Sequence, residues 1–561
     1  MRVALFLLIK LWMVPVHVRL VEINRGAHER FARCKPIKLI QLLSPMLILV
    51  SSLLLFVAAL VLMILRMTLV SARIAWLIAV GGGMLALASV FVWLIQMPFE
   101  FALSAWQPRA LFVTPVLFRA DGFSFPFAIS IAALTLAILL TAVARSALTN
   151  SFTWAGVLAL GGLGFLAVTA NNPFTLLLVW SALDVAELVA QLRSVNGTAQ
   201  NEKVAIAFST RVLGIGLLLW ANIVSIASGG AFDFRSISPN AGLYLIAAAG
   251  LRLGVLPLHL PYAAESTLRR GFGTSFRLIS AASSLALLTH IPAGSLVSVF
   301  TPLMLALAVI AALYGGWMWL RAPDELTGRP YWVIGLAALS VISALSGNSL
   351  GAVAWGCALI LVGGSLFLSS IQHVWLNRAL LFGAWSLSSL PFSLTGCAWL
   401  SDLGLFIPFV IVAQALLIAG FIRHALRPAD RDSLNAQSIG VQTVFLLGIG
   451  LLVVFQLLLG LTGWDGARQV GAWVHALIAS LLTAVLVWAT PRLRVLNPIR
   501  AHWVGSAASG VNRIYQNLSL VFRALEGISQ TFIKILEGES GIMWTLLFLI
   551  LFISYLTHGI P

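Results

Sequence analysis

Apolar residues fall along the chain in sixteen runs, near 40–65, 74–97, 123–144, 152–170, 174–192, 204–227, 242–261, 274–290, 298–320, 332–347, 350–370, 379–396, 404–422, 437–464, 470–489 and 541–559. Most approach the roughly 20 residues that a helix needs to cross the hydrocarbon core of a bilayer. Their alternation with short polar connections predicts an all-α, polytopic membrane helical bundle of about 16 transmembrane spans. The least regular stretch is Ala248 to Ala282, which carries Arg252 and His259, is interrupted by Pro257 and Pro261, and passes through a polar turn before re-entering an apolar run. A proline inside a helical run removes a backbone donor and bends or ends the helix. An arginine in hydrocarbon is costly, so it faces protein or water and marks either a transport path or a buried partner. Three readings of Arg252 stay open: a side chain that snorkels or pairs internally to pack two helices, an ion-path residue beside a broken helix, and a lipid or subunit contact.

Other charges interrupt the apolar pattern in the first half. Asp184 and Glu187 lie three apart in FTLLLVWSALDVAELVAQL and therefore share one helical face. Two like charges in an apolar setting repel, which favours sharing or exchanging one proton between them; the competing reading is that both sit near Arg193 and meet water or a salt-bridge partner. Arg211, inside AFSTRVLGIGLLLW, is a candidate partner for either carboxylate. Asp121, with Arg119, sits at the start of a run and reads as a local helix-start pair. After residue 290 the interior runs hold almost no Lys, Arg, Asp or Glu, with His373 at an edge and His475 near the start of 470–489. A charge-bearing path there would depend on water, hydroxyls or another subunit.

Composition narrows the class. At 60% apolar and 9% charged residues, the chain lies outside the soluble range. A net charge of +16 would point to nucleic acid in a soluble domain, but the basic residues sit mostly in short connections and no zinc finger, dinucleotide fingerprint or phosphate-cradling loop accompanies them. Nucleic acid is therefore not an expected partner. Cys34, Cys357 and Cys397 lack the paired spacing of an iron–sulfur or zinc site, so no metal, no cofactor and no catalytic residue of its own is expected.

If each run crosses once, one side receives Arg66, Arg73, Arg145, Arg193, Lys203, Arg269, Arg270, Arg321, Arg329, Arg378, Arg423, Arg427, Arg431, Arg492, Arg494 and Arg500, and the other chiefly Arg109, Arg119, Arg235 and Arg468. The richer side is expected to be cytoplasmic. Residues 1–38 conflict with this arrangement, and form an extra crossing or cytoplasmic appendage unless the natural start lies nearer Met46. Residues 501–540 carry apolar positions at helical spacing with Arg513, Arg523 and Lys534 interspersed, the pattern of an interfacial amphipathic helix.

Several segments resemble one family, the antiporter-like membrane subunits of respiratory complex I, membrane-bound hydrogenases and multisubunit sodium/proton antiporters. LFRADGFSFPFAIS is similar to the family's F-R-x-D-G-L-S-x-x-F-A at Phe118, Arg119, Asp121, Gly122, Ser124 and Phe127. WSALDVAELV stands in place of its tryptophan–glutamate helix. STRVLGIGLLL resembles its N-R-V-G-D segment at Arg211 and Val212, and RLGVLPLHLP its lysine-bearing broken helix at Pro257 and His259. LSSLPFSLTG resembles a later proline–glycine turn at Leu390, Pro391 and Gly396. The likeness runs over about residues 40–560 and is nearest to the long complex-I subunit that ends in a lateral helix and a further transmembrane helix.

The departures fall on the family's protonatable positions. Ser181 stands where its coupling glutamate follows tryptophan, Arg252 replaces its central lysine, Ser280 replaces a histidine, and its late lysine falls near Leu400. A guanidinium keeps the charge but does not readily release a proton.

The resemblance implies an organisation of 1–38 extension, 39–150 N-terminal helices, 151–290 first antiporter-like repeat, 298–422 second and degenerate repeat, 437–489 C-terminal helices, 501–540 interfacial helix and 541–559 final span. It implies two inverted five-helix repeats and a module of a proton- or cation-translocating redox complex in the inner or cytoplasmic membrane. Other membrane subunits, the lipid bilayer, and protons or monovalent cations are the expected partners. A non-pumping structural subunit and a cation-coupled partner of inorganic-carbon uptake are the alternatives. Candidate path residues are Asp184, Glu187, Arg211, Arg252 and His259, and candidate broken-helix residues are Pro257, Pro261, Pro391 and Gly396. Single cysteines placed at 269–270 and 423–431 should resist an impermeant thiol reagent added outside sealed cells, and labelling from outside would reverse the orientation.

Overall fold

Long apolar segments without internal breakers become helices in the computed structural model, which describes residues 46–67, 71–103, 115–144, 151–194, 198–230, 233–260, 270–296, 298–369, 374–427, 437–461 and 471–493, with single residues 434, 464, 466 and 469. The extension 1–38, the interfacial segment 501–540, the final run 541–559 and Pro261 lie outside the described residues. Residues 1–487 form one unit and 488–561 a second, of which only the end of one helix is described.

In chain order the helices are α1 (Leu47–Met67), α2 (Ala72–Gln96), α3 (Ser124–Thr141), α4 (Ser151–Thr169), α5 (Pro173–Ser194), α6 (Thr198–Ala227), α7 (Gly242–Leu253), α8 (Arg270–Thr289), α9 (Thr301–Arg321), α10 (Glu325–Leu345), α11 (Ser349–Leu368), α12 (Val374–Leu380), α13 (Phe382–Leu387), α14 (Ile407–Ala425), α15 (Ile439–Leu461) and α16 (Trp473–Leu493). A two-stranded antiparallel sheet, β1 (Phe99–Ala102) and β2 (Leu117–Ala120), is the one addition to the helical pattern among the described residues. Eleven segments among the described residues are long and apolar enough to cross a membrane, and two shorter apolar helices accompany them. The chain is thus an α-helical, multi-pass membrane bundle.

Polar residues set where helices begin. Asp121 Oδ1 accepts the N–H of Phe123 and Ser124 at 3.1 and 3.0 Å, capping the start of α3 and pairing with Arg119 as a local helix-start carboxylate should. Asp324 caps α10 through the Thr327 N–H, and Asn348 caps α11 through the Gly351 N–H. The Asp324 cap starts α10 seven residues ahead of the apolar run at 332, and so draws Glu325 and Arg329 into a helix that the apolar pattern alone leaves uncharged.

Helices α3 and α11 are buried around nearly their whole circumference. By contrast, α1, α2, α9 and α15 bury one face and turn residues such as Leu53, Leu60, Leu303 and Leu447 outward, as expected where lipid covers a helix. Helices α9 and α14 run parallel: Gly316 meets Ala413 and Leu416, Gly420 meets Trp319 and Leu320, and Arg427 Nη1 donates to the Pro323 carbonyl at 2.6 Å. Helices α10 and α11 run antiparallel, Trp332 Nε1 donating to the Leu359 carbonyl and Ser340 Oγ to that of Ala352.

The sequence expectation for 379–396, one more apolar span, gives way to two short helices followed by irregular backbone. Pro391 and Gly396 lie in that irregular stretch, where Ser389 and Phe392 both adopt positive φ.

The α9–α10 crossing is close because neither helix carries a side chain at the contact. A Cβ on Gly315 would lie 2.6 Å from the Gly335 nitrogen, whereas one on Gly450 would meet nothing within 4 Å. Gly315→Ala should therefore lower the melting temperature of the detergent-solubilised protein by an amount equivalent to roughly 1–3 kcal/mol. Gly450→Ala should leave it unchanged or slightly raised.

Candidate functional site

One face of α5 is polar within an otherwise apolar helix: Trp180, Asp184, Glu187 and Gln191 follow at intervals of four, three and four. That face meets α6 and α7, each bringing one arginine. Asp184, Glu187, Arg211 and Arg252 are only 1, 2, 4 and 4% exposed, so all four belong to the interior. Their formal charges sum to zero. An isolated charge would be prohibitively costly there, whereas a compensated set is tolerated.

Arg252 is held on every side. Its Nη1 and Nη2 donate to Asp184 Oδ2 and Oδ1 at 2.6 and 2.7 Å, a two-pronged pair. Nη1 also reaches the Arg211 carbonyl and Nε the Ser284 hydroxyl of α8, both at 3.3 Å. The guanidinium carbon lies 4.2 Å from the centroid of the Trp180 ring, within cation–π range. The stem passes over Gly214 of α6, where a Cβ would come within 2.7 Å of Arg252 Cγ.

Arg211 stands between the two carboxylates. It is ion-paired with Glu187, and its Nη1 is 3.7 Å from Asp184 Oδ1. The structure therefore joins four of the five candidate path residues, and Arg252 is paired inside the protein rather than snorkelling to a surface.

His259, the fifth, does not join them. Helix α7 ends at Gly254, whose φ of +75° is the left-handed conformation that glycine adopts without strain. The break thus falls three residues before Pro257, and a turn carries the chain on to His259, whose Nδ1 donates to the Pro257 carbonyl at 2.8 Å.

In the second half the interior is polar but mostly neutral. The broken segment after α13 is held by two glutamines from neighbouring helices. Gln414 of α14 donates to the Leu387 carbonyl and Ser389 Oγ at 2.8 and 3.0 Å and accepts from Trp399 Nε1. Gln456 of α15 accepts from Ser386 Oγ and donates to the Leu361 carbonyl at 3.1 Å. Asn348 Nδ2 donates to the carbonyls of Cys397 and Ala398. Leu400 is exposed.

Two interior cations escaped the sequence analysis. Arg277 of α8 and Arg329 of α10 are each 1% exposed, with their guanidinium carbons 5.3 and 5.2 Å from the rings of Phe276 and Phe367. Arg277 lies inside the run 274–290, where its charge was passed over, and Arg329 lies three residues ahead of the run that begins at 332, so that boundary gave it to a connection. Only a helical count from Asp324 would have placed Arg329 inside.

At the end where α9 and α14 finish, Glu325 pairs with Arg270 at 2.5 Å and lies 3.9 Å from Arg427, while Arg423, His424 and Arg427 donate to the carbonyls of Leu320, Trp319 and Pro323.

Removing one member of the cluster should expose the cost of the other. Arg252→Leu leaves the buried Asp184 carboxylate without its two-pronged partner and should cost about 3–5 kcal/mol, read as loss of folded protein. Adding Asp184→Asn should restore a substantial part. If the double variant is no more stable than the single one, the pair is not the source of the cost.

No family model matches the chain, and no curated protein matches it significantly. Among solved structures, a chain of the Mrp complex from Dietzia sp. DQ12-45-1b superposes with a TM-score of 0.65 at 15% identity, over 92% of this chain and 63% of that one. This chain thus spans under two thirds of the length of that relative. A chain of the membrane-bound sulfane sulfur reductase, an archaeal respiratory membrane complex, gives a TM-score of 0.52 at 14% identity over 79% of this chain and 75% of that one. A chain of respiratory complex I from Thermus thermophilus gives 0.48 at 16% identity over 78% and 96%. What the Mrp and sulfane sulfur reductase likenesses establish is the fold: this chain is built as a multi-pass helical protein of the kind found inside those membrane complexes.

Proposed function

We propose that the chain is an antiporter-like subunit of a proton- or cation-translocating redox complex, and that ion movement through it is confined to the first half. The observation that carries this reading is the buried set Asp184, Glu187, Arg211 and Arg252, in which one arginine contacts two carboxylates and can change partner as one of them takes a proton. The shared fold with chains of the Mrp and sulfane sulfur reductase complexes supports placing it among other membrane subunits. In this role the chain contributes no redox chemistry of its own and depends on its neighbours for it.

A second reading, a subunit that supports assembly while its neighbours transport, has its own observation. The break between α13 and α14 is held by neutral amides and hydroxyls, groups that bridge water but do not change charge.

Proton flux measured in the reconstituted complex beside assembly yield separates the two. The Asp184→Asn, Glu187→Gln double variant should lose essentially all flux that passes through this subunit while substitutions at Leu400 change little. Undiminished flux in the fully assembled double variant would leave the supporting role.

A further inference from the structure

The two carboxylates of the cluster are not equivalent. Both oxygens of Asp184 are taken by Arg252, and Arg252 is itself fixed by Ser284, by the Arg211 carbonyl and by the Trp180 ring. For Asp184 to take up a proton, it would have to break one prong of a pair whose cation cannot give up its own charge. Glu187 is held by Arg211 alone among the described residues, and its Oε1 is buried without a hydrogen bond from any of them. A buried carboxylate oxygen left without a donor is costly and invites a proton or a small cation.

We infer that Glu187 Oε1 is the exchangeable proton site of this subunit, that Asp184 is the permanent counter-ion of Arg252, and that Arg211 is the moving part between them. This assignment rests on the reading of the cluster as the ion path. In the resting arrangement Arg211 pairs with Glu187 and has Nη1 3.7 Å from Asp184 Oδ1. When a proton from water forms an O–H bond at Glu187 Oε1, the attraction between Glu187 and Arg211 is lost and the cluster gains one positive charge. Arg211 then has a carboxylate within reach to lean on, and a shift of less than a hydrogen-bond length places it on Asp184. When the proton leaves to water, Arg211 returns to Glu187 and neutrality is restored.

The groups facing Glu187 are consistent with this. Asp184 precedes it by one turn on α5, Arg211 comes from α6 and Arg252 from α7, and Ser284 of α8 reaches Arg252 rather than Glu187. Gln191, the next residue on the same face of α5, is buried and neutral. It continues the polar stripe toward the end of the helix without adding a competing charge. Asp184 and Glu187 therefore differ in what holds them and not in how deeply they are buried.

Carbodiimide labelling distinguishes the two carboxyls, because the reagent adds to a protonated carboxyl in apolar surroundings and leaves a mass tag on it. In the intact complex, adduct mapped by mass spectrometry should fall on Glu187, decline as pH rises, and disappear in Glu187→Gln while Asp184 stays unmodified. Glu187→Gln should reduce flux at least tenfold with normal assembly, and Arg211→Lys should keep more of it than Arg211→Gln. Asp184→Asn should lower the yield of assembled complex and also reduce flux per assembled complex, since it removes the carboxylate to which Arg211 shifts, while the adduct on Glu187 persists. Adduct on Asp184, or on neither carboxyl, overturns the assignment. Labelling of Glu187 in a complex whose flux is insensitive to Glu187→Gln keeps the proton site and removes the transport reading.

Discussion

The bundle depends on the cost of putting charge where water is absent. Arg252 alone, buried without a partner, would carry a penalty of several kcal/mol. The chain meets it by bringing α5, α6 and α7 together so that two arginines face two carboxylates. This constraint fixes more than the charges. It sets the rotation of α5, whose Trp180–Asp184–Glu187–Gln191 face must point inward, and it requires Gly214 so that α6 lets the arginine stem past. A single electrostatic condition thus determines the relative placement of three helices.

The same requirement is answered differently in the second half. There the backbone itself is the polar group to be satisfied, since α12 and α13 are short and the chain after them is irregular. Gln414 and Asn348 supply backbone partners from other helices, and Gln456 accepts from the Ser386 hydroxyl while donating to the Leu361 carbonyl of α11, in keeping with the rule that non-helical backbone at membrane depth must be enclosed by protein. Neutral amides do this without a counter-charge. A broken helix can in this way be held without an ionisable residue.

Legibility in the sequence had the same physical origin. Long apolar runs carried the helices, because twenty residues without polar backbone partners have one good solution in hydrocarbon. Asp184, Glu187, Arg211 and Arg252 stood out because charge is rare in such runs. Their pairing was open to inference from cost, but the division of labour between the carboxylates was not, since it depends on which oxygen faces which guanidinium. The helix end at Gly254 was hidden by the more conspicuous Pro257, and Arg329 by a helix that starts on a cap rather than on its first apolar residue. In 379–396 Pro391 and Gly396 stood out as breakers, but the positive φ at Ser389 and Phe392 and the end of α13 at Leu387 were not legible in so apolar a stretch.

The parallel course of α9 and α14 carries a topological obligation. Helix α10 turns back directly from α9, and α11 turns back from α10, so α11 finishes at the level where α10 began and where α14 will also finish. The stretch from 369 to 406 must therefore carry the chain the whole way back before α14 can start. Among its described residues it does so with thirteen α-helical residues, α12 and α13 together, a 3-10 turn at Gly404–Phe406 and irregular backbone between them. Two half-turned pieces thus do the work of one strut, and the direction of α14 is inherited from them.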